Sequence, residues 1–192
     1  KFAELAGENK KVAVIVNAMD FLTDQVSRNE SVRQEIDDMK ALGLQPEEVD
    51  LRKYFGKSEQ LDKKLLKYNI LWVRGGNVFV LRRAFKESGM DEWLIRQRGN
   101  RKLVYGGYSA GVCVLSPNLK GLNIVDNPNT SSEGYNKEII WEGVDLIDFA
   151  FAPHYMSNHP EAEAVGRLVE YNKENKIEYK ALKDGEVIIQ EI

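Results

Sequence analysis

The chain has 192 residues, 43% of them hydrophobic and 30% charged; that suits one domain with a full core and excludes a disordered chain. Its net charge of -3 lacks the basic excess of a nucleic-acid binder and contains no like-charge tail. A single cysteine, Cys113, rules out an internal disulfide and a Cys/His zinc cluster, and no apolar run reaches transmembrane length.

Val12-Ala13-Val14-Ile15-Val16 is a continuous apolar run, the pattern of a strand covered on both faces. Residues 26–42 carry helical spacing, ended by Gly43. Val49-Asp50-Leu51 reads as a short second strand and residues 59–68 as a charged amphipathic helix. Ile70-Leu71-Trp72-Val73 is a third buried strand, running into Arg74-Gly75-Gly76-Asn77. Helices are predicted over 78–87 and 91–97, then a strand at Lys102-Leu103-Val104-Tyr105. Ala110-Gly111-Val112-Cys113-Val114-Leu115 is small and apolar enough for a buried helix that stops near Pro117, with Cys113 as a packing residue.

Residues 123–134 are rich in Asn, Ser, Thr and Pro and read as a loop. Phe149-Ala150-Phe151-Ala152-Pro153-His154 is a strand ending at a histidine. A helix over 160–172 follows, then two late strands, 178–182 and 186–190, joined through Asp184-Gly185. Strands alternating with helices indicate an α/β fold with a mostly parallel sheet and sites at the strands' carboxyl ends. Gly75-Gly76, Ser109 and His154 all fall at such ends. No repeat or linker interrupts the chain, so residues 1–192 are expected to form a single domain. With no signal peptide visible, the expected setting is the cytoplasm, without membrane or nucleic-acid partners, as a monomer or homodimer.

Gly107-Tyr108-Ser109-Ala110-Gly111 has the form of a nucleophile elbow. A strand turning sharply into a helix strains its turn residue, and small neighbours keep side chains from colliding there. The serine hydroxyl is left exposed, and the new helix points its free N–H groups and positive dipole end at a developing oxyanion. Serine needs a base to take its proton, and the chain offers His154 and His159. His154, at the end of a buried strand, is the better candidate; His159 lies in the polar stretch Ser157-Asn158-His159-Pro160. One oxyanion donor is the N–H of Ala110, the residue after the nucleophile. Gly76, with Gly75 beside it, is the candidate for the second, because glycines let backbone approach a substrate carbonyl.

Three ordered motifs, Trp72-Val73-Arg74-Gly75-Gly76-Asn77-Val78-Phe79, Tyr105-Gly106-Gly107-Tyr108-Ser109-Ala110-Gly111 and Ala152-Pro153-His154-Tyr155, resemble the dipeptidase E (alpha-aspartyl dipeptidase) and cyanophycinase family of serine peptidases. The resemblance implies a class I glutamine amidotransferase-like fold, a three-layer sandwich with helices on both faces of a central sheet. Family members usually begin with one more strand and helix. Phe2-Ala3-Glu4-Leu5-Ala6 looks like the end of that helix, so the chain resembles a member lacking the first strand.

The resemblance also implies roles. It assigns Ser109 as nucleophile, His154 as base and the Gly75-Gly76-Asn77 turn to oxyanion and substrate contacts, with no metal or organic cofactor. The family's acid aligns with Gly121 here, so Asp126 is the candidate in its place, Glu133 the reserve, and a Ser–His dyad the remaining option. An arginine from the helix after the histidine holds the acidic side chain of aspartyl peptides in the family; Arg167 is the candidate, Glu161 and Glu163 weigh against an anion pocket, and Arg74 is an alternative cation. The expected activity is hydrolysis of small peptides through an acyl-enzyme. A silent binding module, or an amidase or esterase, are the competing readings.

Overall fold

The computed structural model describes residues 2–5 and 7–191. After a one-turn helix, α1 (Phe2–Leu5), comes β1 (Lys11–Ile15), whose Val12, Ala13, Val14 and Ile15 are fully buried. Alternate residues serve opposite layers. Val12 and Val14 pack with Met39 and Leu44, while Ala13 and Ile15 join Leu71, Val73, Phe79 and Phe85 on the other face. A strand sandwiched in this way has no solvent face and therefore reads as an unbroken apolar run.

Helix α2 (Gln25–Ala41) starts where Asp24 accepts hydrogen bonds from Val26 N (2.9 Å) and Ser27 N (3.2 Å). Its buried residues include Arg28 and Glu35 as well as Met39. β2 (Gln45–Glu48) lies at the sheet edge and pairs only with β1. The second strand was expected at residues 49–51, but it comes earlier and carries Pro46, which an edge tolerates because only one side must donate. Residues 49–51 instead end the ladder, and Asp50 caps a 3₁₀ turn (Leu51–Tyr54).

Helix α3 (Ser58–Leu65), β3 (Ile70–Val73), α4 (Val78–Ser88), α5 (Met90–Arg96) and β4 (Val104–Gly107) follow. The four strands are parallel in the order β2-β1-β3-β4. The order reverses direction between β1 and β3, which opens a crevice at their carboxyl ends. β4 runs two residues further than expected, because Gly106 and Gly107 still pair with Trp72 and Val73.

Beyond the short helix α6 (Ala110–Cys113), a long loop is pinned by the buried Arg83 of α4. Its guanidinium donates to the carbonyls of Glu138 (2.8 Å), Thr130 (2.9 Å) and Pro128 (2.7 Å). β5 (Ala150–Ala152), α7 (Ala162–Glu174) and β6 (Tyr179–Ala181) then form a parallel crossover unit, a second two-stranded sheet rather than an extension of the first. The expected late hairpin is not formed: residues 186–190 make no strand, and Val187 and Ile189 are exposed. Among the described residues, no helix is long and apolar enough to cross a membrane.

Candidate active site

β4 turns into α6 at Ser109, whose φ of 49° and ψ of -123° are unusual for a residue with a side chain. Such a conformation costs roughly 1–3 kcal/mol and persists only where its surroundings over-determine it. Here Val112 N and Cys113 N donate to Ser109 O, at 2.9 and 3.0 Å. Tyr105 Oη donates to Gly111 O at 2.5 Å. A Cβ at position 111 would lie 2.2 Å from Val73 O, so only glycine lets the elbow sit against the end of β3.

Glu35 of α2 braces the elbow from the opposite layer. Its carboxylate accepts from Tyr108 Oη and Trp72 Nε1, each at 2.6 Å, and pairs with Arg74 Nε at 3.1 Å. Burial and the bond to Glu35 raise the Tyr108 phenol, which stays a protonated donor. Glu35 thus balances the Arg74 charge beside the glycine turn.

The Gly75-Gly76 turn leans on the serine. A Cβ at Gly75 would come within 2.9 Å of Ser109 Cβ. Gly76 has a φ of 144°, and a Cβ there would lie 2.6 Å from Ala18 O, so both conformation and space require glycine. Asn77 caps α4: its Oδ1 accepts from Phe79 N and Val80 N, both at 3.0 Å, and its Nδ2 donates to Asn127 O at 3.2 Å. These bonds use the groups by which Asn77 was expected to hold substrate. The N–H groups of Gly76 and Ala110 donate to no acceptor among the described residues. Both lie at helix starts, where the dipole favours negative charge.

α6 packs on β5, with Cys113 Sγ 3.5 Å from Phe151 O. Burial pushes the Cys113 thiol up, which makes it a neutral packing group. Two residues past β5 stands His154, with a φ of 60°. Its Nδ1 lies 2.6 Å from Asp184 Oδ1. The ladder continues past the strands to build this pair: Leu182 N donates to Ala152 O (3.1 Å) and Tyr155 N to Leu182 O (2.9 Å). Ser157 Oγ accepts from Asp184 N at 2.8 Å and holds the acid's turn. His159 stacks on His154, centroids 3.7 Å apart and planes 7° apart. Ser109 Oγ and His154 are not hydrogen-bonded to each other, a contact that often tightens only with substrate.

The structure does not bring the expected acid to the histidine. Asp126 faces α4, not the histidine: its Oδ2 accepts from Val78 N at 2.8 Å. Glu133 is exposed in the loop and makes no bond to His154. Nor does Gly121 leave room for the family's aspartate, because a Cβ there would lie 2.6 Å from the Tyr171 ring. Arg167 is exposed on α7, where it pairs with Glu163 one turn away on the same helix at 2.7 Å.

Burial pushes the Asp126 carboxyl up to about 6 against the pull of the Val78 N–H, and the Glu161 charge adds to the rise. A carboxyl raised above its unfolded value favours the fold at low pH and loses that contribution as pH climbs from about 4 through 6. Asp126→Asn keeps an acceptor for Val78 without the charge. The variant is expected to gain stability relative to the parent by an amount of order 2 kcal/mol between pH 4 and pH 7. Urea unfolding of both proteins across that range checks it; a pH-independent difference contradicts it.

Two important groups escaped the sequence reading. Asp184 looked like half of a hairpin turn, and its only signal was an Asp-Gly placed after a strand. Glu35 carried no signal at all, since a buried acid on a helix is recognised only by the donors that face it.

The model of peptidase family S51 matches residues 1–191. The chain belongs to that family. It is 32% identical over 143 residues to an uncharacterized peptidase of Listeria monocytogenes, covering 72% of this chain and 64% of that protein. The match to an uncharacterized peptidase of Listeria innocua is 31% over 160 residues, 78% of this chain and 71% of the relative. A crystal structure from Listeria monocytogenes EGD-e, of a protein named for peptidase E, superposes with a TM-score of 0.69 at 24% identity, covering 100% of this chain and 91% of that one. That likeness shows the fold, an α/β architecture with a parallel central sheet.

Proposed function

We propose that the chain is a serine peptidase that hydrolyses small peptides through an acyl-enzyme on Ser109. The observation that carries this reading is the His154–Asp184 bond of 2.6 Å, held on β5 and β6 against the helix that Ser109 begins. With Nδ1 committed to Asp184, Nε2 of His154 is the nitrogen left to take the Ser109 proton. The serine oxygen attacks the peptide carbonyl and the N–H groups of Gly76 and Ala110 receive the oxyanion. His154 then delivers the proton to the leaving amine, and water repeats the sequence on the acyl-enzyme.

Asp184 supplies a carboxylate that position 121 lacks, which removes the main support for a silent binding module. Arg74 is paired with the buried Glu35, and Arg167 is a surface residue beside Glu163 on its own helix, so neither expected cation stands in a built anion pocket. We therefore propose no preference for acidic N-terminal residues. A library of neutral and acidic dipeptides and tripeptides, assayed for released amine, tests this. Turnover of neutral peptides supports the reading; turnover of acyl esters with none of peptides moves the chemistry to an esterase.

A further inference from the structure

Around the base lies a set of donors of which the proposed reaction uses only His154, leaving His159 and Glu161 without a role. One nitrogen each of His154 and His159 and one carboxylate oxygen of Glu161 lie within 4.8 Å of one another, all on half-buried side chains. Two imidazoles and a carboxylate are a donor set for zinc with an open fourth position. The support behind it is also that of a metal site: His154 Nδ1 is bonded to Asp184 at 2.6 Å, and a carboxylate on the outer nitrogen orients a metal-binding histidine and raises its basicity. We propose that His154, His159 and Glu161 bind a zinc-like divalent cation that switches the site off by occupying the Nε2 lone pair of His154. This rests on the peptidase reading for what is switched, but not for the binding itself.

The lone pair that would accept the serine proton is the one the metal would use, so the two occupancies exclude each other. Rings stacked 3.7 Å apart and 7° from parallel cannot both point a lone pair at one ion, so His159 must turn out of the stack when the cation enters. Little holds it there: its Nδ1 accepts a bond of 3.2 Å from Glu161 N, at the long end of the range. The same ring thus serves two states, stacked on the free base or turned to share the ion with it.

Calorimetric titration of the purified protein with zinc chloride tests the site without reference to turnover. One ion per chain is expected, bound about 10-fold or more weakly in Glu161→Gln and in His159→Gln. Unchanged affinity in both variants, or no saturable binding to the parent, overturns the site. In the peptide assay, zinc should inhibit the parent reversibly, with EDTA restoring the rate, and should inhibit Glu161→Gln only at about 10-fold higher concentration. Saturable binding without inhibition of an active enzyme overturns the switch. Absence of turnover in the metal-free enzyme, with binding intact, would count against the peptidase reading and leave the metal site standing.

Discussion

Asp184→Asn is expected to lower kcat by about 10⁴ while leaving KM nearly unchanged, the size of effect seen when the acid of a serine triad becomes an amide. The geometry explains why. Asp184 Oδ1 lies 2.6 Å from His154 Nδ1, and a carboxylate there fixes the proton on the outer nitrogen and stabilises the imidazolium formed during attack. An amide can present its NH₂ instead and select the wrong tautomer. Asp184 is half exposed, with a side chain 49% accessible, so the substitution should cost little folding free energy. Steady-state kinetics on Asp184→Asn beside Asp126→Asn separate the two carboxylates: the first should collapse kcat and the second should keep most of it. The reverse pattern would return the acid's role to the loop.

Ser109→Ala is expected to remove turnover, a loss of about 10⁶ on the scale of nucleophile deletions in serine proteases. Its unfolding free energy should change by less than about 1 kcal/mol, because the hydroxyl makes no hydrogen bond that the fold depends on. Alanine inherits the same φ of 49°, so the strain stays and only the chemistry is lost. Peptide turnover that survives in this variant, with an unchanged urea midpoint, would place the nucleophile elsewhere.

How much was legible in the sequence follows from the range of each signal. β1 and β3 are buried on both faces and show as apolar runs; the elbow announces itself because glycines must flank a turn pressed against Val73. These are local constraints, and local sequence carries them. Asp184 is different. It meets His154 only because β6 pairs in parallel with β5 across the α7 crossover, a contact 30 residues apart in sequence. Read locally, Asp184-Gly185 between apolar alternations is a hairpin turn, which is why two strands were expected where one is found. Asp126 shows the reverse case: it is close to the elbow in sequence, yet its carboxylate bonds the start of α4.

The most direct test of the account is covalent labelling of the purified chain with a fluorophosphonate, followed by peptide mapping of the adduct. A strained serine with a free oxyanion donor beside it and a histidine–aspartate pair to draw its proton should give one adduct per chain, on Ser109, which His154→Gln and Asp184→Asn slow sharply. An unlabelled Ser109, or an adduct that forms at the same rate without His154, would contradict it.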